Sequence, residues 1–170
     1  ISSTEAPGAG PMLHPMDAHH MAIALRLARR ALGTAWPNPA VGCVIVAGRG
    51  AEARVVGRGW TRPGGRPHAE TEALRRAGEA ARGATAFVTL EPCSHTGKTP
   101  PCTDALKAAG IARVVAAMVD PDNRVSGRGL KALEAAGIAV ECGLGGAEAA
   151  EINAGYILHR TLGRPLVTLQ

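Results

Sequence analysis

The stretch PHAETEALRRAGEAARGATAFVTLEPCSHTGKTPPCTDAL, residues 67–106, decides how the rest of the chain is read. After His68, the run AETEALRRAGEAA predicts a helix that ends near Gly83. Ala84–Leu90 is short and apolar, which predicts a strand. Glu91–Pro101 holds three prolines and a glycine and predicts a loop. Cys102–Ala109 then predicts a short helix, with Gly110 at its end. Helix, strand, loop and helix in such quick succession is the rhythm of an α/β domain.

The same rhythm extends in both directions. Downstream, Ala112–Val119 predicts a strand and Asp120-Pro121-Asp122-Asn123 a polar turn. Gly127–Ala136 predicts a helix stopped by Gly137, Ile138–Cys142 a strand, and Ala147–Leu162 a last helix interrupted near Asn153-Ala154-Gly155. Upstream, Asp17–Gly33 has apolar residues at helical spacing, with Asp17 expected as N-cap and Gly33 as the stop. Trp36-Pro37-Asn38-Pro39 cannot be helix. Val41–Ala47 and Ala53–Trp60 predict two strands paired as a hairpin across a turn at 48–52. This order predicts an α/β fold: a mixed five-stranded sheet with helices on both faces, a three-layer α/β/α sandwich.

Length and composition fit one domain, expected over residues 16–160. Residues 1–15 are small, polar and rich in Pro and Gly, and are expected to be a disordered leader. Residues 161–170 start like another strand and are expected to open a truncated C-terminal domain or linker. The formal charge is +5, and sixteen of the nineteen basic residues are Arg. They are scattered, and the aromatics are only Trp36, Trp60, Phe87 and Tyr156. A nucleic-acid platform would interleave a basic stripe with aromatics, so no nucleic-acid partner is expected; an anionic small substrate suits the charge. No stretch is long and apolar enough for a membrane span and no secretory pattern opens the chain, so a cytoplasmic protein without a membrane partner is expected. A homo-oligomer is also expected.

Four cysteines in such a chain suggest metal binding before disulfides. His68, Cys93 and Cys102 are the candidate ligands: one neutral imidazole and two thiolates can hold zinc and leave the fourth position open for water. His68 and Cys102 stand at predicted helix starts, where dipoles and free amides favour thiolate over thiol. Glu70, two residues from His68, is the candidate acid and base for that water. The alternatives are plain buried thiols or half of a structural zinc site. A structural site would need a fourth Cys or His, and Cys43 and Cys142 fall inside predicted strands, where they are expected to act as small core hydrophobes. His95 is read as a loop or substrate contact. His14, His19, His20 and His159 receive no role.

At this point the residues resemble a known family. H-x-E followed by P-C-x-x-C marks zinc-dependent nucleobase deaminases, and this chain keeps its elements while placing eight residues between Cys93 and Cys102. PNPAVGCVIV (37–46), PHAETEAL (67–74), FVTLEPCSHTGKTPPCTDAL (87–106) and DPDNRVSGRGL (120–130) resemble the deaminase domain of bacterial riboflavin biosynthesis, diaminohydroxyphosphoribosylaminopyrimidine deaminase. The resemblance implies a cytidine deaminase-like sandwich, a Zn2+ cofactor, and hydrolytic deamination of 2,5-diamino-6-ribosylamino-4(3H)-pyrimidinone 5′-phosphate. It implies His68, Cys93 and Cys102 as zinc ligands and Glu70 as proton shuttle. Asn38 matches a substrate-binding Asn, and His95, Lys98 and Thr99 match the inserted loop that meets the ribose phosphate. At 120–123 members often read D-P-N-P where this chain has Asp120-Pro121-Asp122-Asn123. Asp120 and Asn123 are kept as substrate contacts, while an acid at Asp122 is unfavourable beside a phosphate. Family members usually fuse this domain to an NADPH-dependent reductase, whose first strand GRPLVTLQ (163–170) resembles. Nucleoside or tRNA deamination within the same superfamily is the competing reading.

Overall fold

The computed structural model describes residues 13–96, 100–122 and 126–167. Of the residues singled out above, Lys98, Thr99, Asn123 and most of the expected leader lie outside the described residues. The elements, in order, are α1 (Asp17–Arg29), β1 (Gly42–Ala47), β2 (Arg54–Trp60), α2 (Ala69–Ala77), β3 (Thr85–Val88), α3 (Cys102–Ala108), β4 (Arg113–Ala116), α4 (Arg128–Ala135), β5 (Ala139–Cys142), α5 (Gly146–Ile152) and α6 (Ala154–Leu162). Single 3-10 turns occupy Gly50–Glu52, Pro63–Gly65 and Gly78–Ala81.

The five strands form one sheet in the order β2-β1-β3-β4-β5. β1 runs antiparallel to β2 and β3, and β3, β4 and β5 are mutually parallel. Period-2 alternation divides the core in two. Val44 and Val46, with Phe87 and Val115, pack with Met21, Ala24 and Leu25 of α1 and Ala149 of α5. Cys43 and Ile45, with Ala86, Val88 and Val114, face Ala69 and Ala73 of α2, Leu106 of α3 and Leu133 of α4. The result is the expected three-layer sandwich with a mixed sheet.

Because the core is built mainly from Ala and Val, helices approach the sheet closely. β2 presents Gly57 and Gly59 to α2, where a Cβ would run into the carbonyls of Ala73 and Ala69. α2 therefore rests on the strand's backbone, which fixes the height of its N-terminus above the sheet.

Several local expectations are corrected. α1 ends at Arg29, and turns carry the chain to Gly33. Asp17 is the first helical residue, not the N-cap, which is Met16. Its carboxylate accepts the His14 N–H (2.7 Å) and two guanidinium bonds from Arg113 (2.6 and 3.1 Å). Cys142 is not a core residue: it ends the edge strand β5 and is exposed, whereas Cys43 is fully buried. The last helix breaks at Asn153, where interruption was expected. The buried Asn153 carboxamide accepts the Ala40 N–H (2.8 Å) and donates to the carbonyls of Ala40 (3.0 Å) and Ala149 (3.2 Å). Among the described residues, no helix is long and apolar enough to cross a membrane.

Candidate active site

Parallel strands converge with helix starts at one end of the sheet. The chain leaving β3 gives Leu90, Glu91 and Cys93, and the chain beyond β4 gives Asp120. Antiparallel β1 brings Val41 to the same end, and α2 and α3 begin there. The crevice outside the carboxyl ends of strands is where open α/β sheets bind ligands. His68 is the N-cap of α2, Glu70 lies in its first turn, and Cys102 opens α3.

The three predicted ligands meet. His68 Nδ1 lies 3.2 Å from Cys102 Sγ and 3.8 Å from Cys93 Sγ, and all three donor atoms fall within 4.8 Å of one another. Backbone bonds brace the arrangement: the Cys102 N–H donates to Cys93 Sγ (3.3 Å) and the Thr103 N–H to the Cys93 carbonyl (3.2 Å). Zn–S bonds of about 2.3 Å and a Zn–N bond of about 2.0–2.1 Å at tetrahedral angles require an N···S separation of about 3.6 Å. The donor set and its spacing fit zinc. Neither Cys43 nor Cys142 joins the group, so among the described residues it offers three protein ligands, the pattern of a catalytic rather than a structural centre.

The electrostatics show how crowded the group is. The Cys93 thiol is pushed down to about 4, chiefly by its hydrogen bond with Cys102, against the opposing effect of burial. Cys102 is pushed up by Cys93 beside it, and then by burial. Glu70, only 4% exposed, is raised to about 7 by burial and by the Cys93 sulfur. His68 is raised by its hydrogen bond to Cys93. Two sulfurs, an imidazole and a buried carboxylate share charge that a cation at their centre would settle.

Beside the trio lies a cleft of about 120 Å³. Asn38, Glu70, His95 and Asp120 of the predicted set line it together with His68 and Cys93, while Cys102 is buried behind them. The Asn38 side chain lies against Gly65 of the neighbouring loop. His95 is exposed. Asp120 is buried; its carboxylate accepts the Asp122 N–H (2.8 Å) and the Tyr156 hydroxyl (3.3 Å), and burial raises its pKa. A larger recess of about 250 Å³ lies at the opposite end of the sheet, where Asp17 and Arg113 already pair with each other. It holds none of the predicted site residues.

Sequence reasoning missed four cleft groups. Glu91 is buried and accepts three backbone N–H groups, from Asp120 (3.0 Å), Gly127 (2.8 Å) and Gly129 (2.7 Å), tying the end of β3 to the start of α4. The only signal was a carboxylate directly ahead of Pro92-Cys93. Arg66, Tyr156 and Arg160 also line the cleft, and Arg160 Nε stands 3.8 Å from Asp122. Asn153, outside the cleft, grips Ala40 two residues beyond Asn38.

Comparison with known proteins agrees with this geometry. The model of the cytidine and deoxycytidylate deaminase zinc-binding region matches residues 15–118. The riboflavin biosynthesis protein RibD of Escherichia coli is 54% identical over 154 residues, covering 91% of this chain and 41% of the relative. The chain thus spans well under half of that protein. The diaminohydroxyphosphoribosylamino-pyrimidine deaminase of Buchnera aphidicola is 44% identical over 149 residues, 88% of this chain and 99% of the relative. A crystal structure from Thermotoga maritima, a diaminohydroxyphosphoribosylaminopyrimidine deaminase/5-amino-6-(5-phosphoribosylamino)uracil reductase, superposes with a TM-score of 0.80 at 40% identity, covering 88% of this chain and 42% of that one.

Proposed function

Because the chain belongs to the cytidine and deoxycytidylate deaminase zinc-binding family, we propose that it hydrolyses 2,5-diamino-6-ribosylamino-4(3H)-pyrimidinone 5′-phosphate to 5-amino-6-(5-phosphoribosylamino)uracil and ammonia, in riboflavin biosynthesis. The observation that carries the reading is Glu70: a buried carboxylate in the same cleft as a three-ligand metal group and two residues from His68.

His68, Cys93 and Cys102 would hold zinc. When bound there, zinc supplies a water acidified from ~15.7 to about 7. Glu70 takes up one proton within the cleft and returns it to the pyrimidine ring nitrogen beside the reacting carbon. It then helps protonate the departing amine. Overall one water is consumed: its oxygen bonds to the ring carbon and remains as the carbonyl, one of its protons reaches the ring nitrogen and the other the amine, and the C–N bond breaks as ammonia leaves. Glu70 is seated in the first turn of α2, so its distance from His68 is set by the helix.

Asn38 can donate and accept along a pyrimidine or ribose edge. Gly65 behind it and the Asn153 bonds to Ala40 support its placement. Lys98, Thr99 and His95 serve the ribose phosphate in this reading, and Asp120 and Asn123 are further substrate contacts. The same proposal makes residues 16–160 a deaminase domain of a cytoplasmic, homo-oligomeric protein. Residues 161–170 would lead toward a reductase domain in the natural protein, supported by the likeness to the deaminase/reductase of Thermotoga maritima and by the 41% coverage of the Escherichia coli relative.

The test is ammonia release from the pyrimidine ribotide, cytidine and an adenosine-containing tRNA by the purified chain. Release from the ribotide alone is expected. Release from cytidine or the tRNA with the ribotide untouched would replace this reading by the corresponding deaminase.

A further inference from the structure

We propose that Arg66 and Arg160 recognise the anionic end of the substrate and so make the cleft selective for a phosphorylated ligand. The inference rests on the function proposed above and names side chains that would select its substrate class.

The cleft is lined by four carboxylates, Glu70, Glu91, Asp120 and Asp122, against two guanidinium groups, Arg66 and Arg160. Three of the carboxylates are engaged. Glu91 is taken by three backbone N–H groups, and Asp120 by the Tyr156 hydroxyl and the Asp122 N–H. Asp122 faces Arg160 at 3.8 Å. An acid at 122 therefore does not confront the ligand alone: it holds a cation at the cleft wall. The Tyr156 ring supports the same guanidinium, 5.4 Å from ring centroid to Cζ. Asp122 stands on the Nε side and the Tyr156 ring beside the guanidinium, so both hold the Arg160 head at the cleft wall. Asp122 and Tyr156 are positioning residues in this account.

Arg66 supplies the second observation. Its Nε is buried and has no hydrogen-bond partner among the described residues. A guanidinium stays charged at any working pH, and a buried donor left unmade is costly. Arg66 follows Gly65, against which Asn38 lies, so it extends the wall that carries Asn38. A half-buried guanidinium at the edge of a ligand cleft, its Nε without a partner among the described residues, is matched by the oxygens of a phosphate, which accept in pairs.

The full chain, loaded with zinc, is titrated calorimetrically with ribose 5-phosphate and with ribose. The wild type is expected to bind ribose 5-phosphate more tightly than ribose. Arg66→Gln and Arg160→Gln should each weaken ribose 5-phosphate about tenfold or more, as loss of a charged hydrogen bond does. Ribose binding, zinc content and thermal midpoint should hold, and Arg66→Lys should recover part of the loss. Equal binding of the two sugars by the wild type, or wild-type affinity in both Gln variants, would overturn the proposal. Its failure is separate from failure of the proposed function. If the Gln variants lose the wild type's phosphate preference but the wild type releases no ammonia from the pyrimidine ribotide, the deaminase reading falls and the arginine assignment stands.

Discussion

The Asn38 carboxamide lies against the α-carbon of Gly65, in the space a side chain at 65 would need. Gly65 has a φ of +84°, which L side chains rarely adopt. One position thus sets both the course of the 61–67 loop and the seat of a proposed substrate contact.

Gly65→Ala is expected to push Asn38 out of place at a folding cost of about 1–2 kcal/mol. KM for the ribotide should rise about tenfold, matching Asn38→Ala, with zinc content unchanged. If kinetics stay at wild-type values in Gly65→Ala, Asn38 does not contact substrate from this seat.

Glu70→Gln should keep zinc and lose ~10²–10⁴-fold in kcat, because an amide cannot relay a proton. Zinc analysis beside single-turnover ammonia release checks it. A variant that turns over like the wild type removes Glu70 from the mechanism.

Metal analysis is expected to give one zinc per chain. Chelation should abolish activity and lower the thermal midpoint, since the trio ties the start of α2 to the loop after β3 and to α3. Added zinc should restore both, and Cys102→Ser should hold zinc poorly. A fourth protein ligand in a metal-bound crystal structure would defeat the three-ligand centre.

Glu91→Ala deprives three backbone N–H groups of their acceptor. Two of these donors, on Asp120 and Gly129, are buried, and at ~1–3 kcal/mol for each buried donor left unmade the loss should be at least about 2 kcal/mol. Urea unfolding measures it, and a loss within about 0.5 kcal/mol, the scale of ordinary surface changes, would mean water replaces the carboxylate.

The Asp17–Arg113 pair predicts a pH signature. Burial pushes the Asp17 carboxyl up, but the Arg113 hydrogen bond, the His14 amide and the guanidinium charge outweigh it, and the group ends below its ordinary value. A depressed folded pKa stabilises above the unfolded value of about 3.9 and is lost as pH falls through the lower folded value. Asp17→Asn should therefore be less stable than the wild type at pH 7, and the difference should shrink as pH falls below about 4. A difference independent of pH from 7 to 2 would show that the carboxylate's charge adds nothing.

What was legible in the sequence was what short windows encode. Helix and strand order follow from spacing and from Gly and Pro punctuation, and the metal group follows from His68 and Cys102 lying at helix starts with Cys93 in the loop between strand and helix. What was illegible depends on partners far apart in the chain. Asn153 reads as a helix break, yet its side chain is spent on Ala40, 113 residues away. Asp122 reads as an electrostatic fault until α6 brings Arg160 beside it. Asp17 reads as a cap until β4 supplies Arg113. Cys142 sits in an apolar-looking strand, but only sheet order reveals that strand as an edge with one neighbour.

The seating of α2 on Gly57 and Gly59 has a consequence for how such a protein can change. The helix carrying His68 and Glu70 has no slack toward the sheet, so a substitution beneath it would move the ligand and the proton carrier together. Variation that redirects selectivity has to enter elsewhere, through side chains that reach the cleft without touching that contact. Arg66, His95 and Arg160 are such positions. A library confined to them would sample new sugars and new anions over an unchanged reaction, whereas one that reached Gly57 or Gly59 would forfeit the chemistry before it found a new ligand.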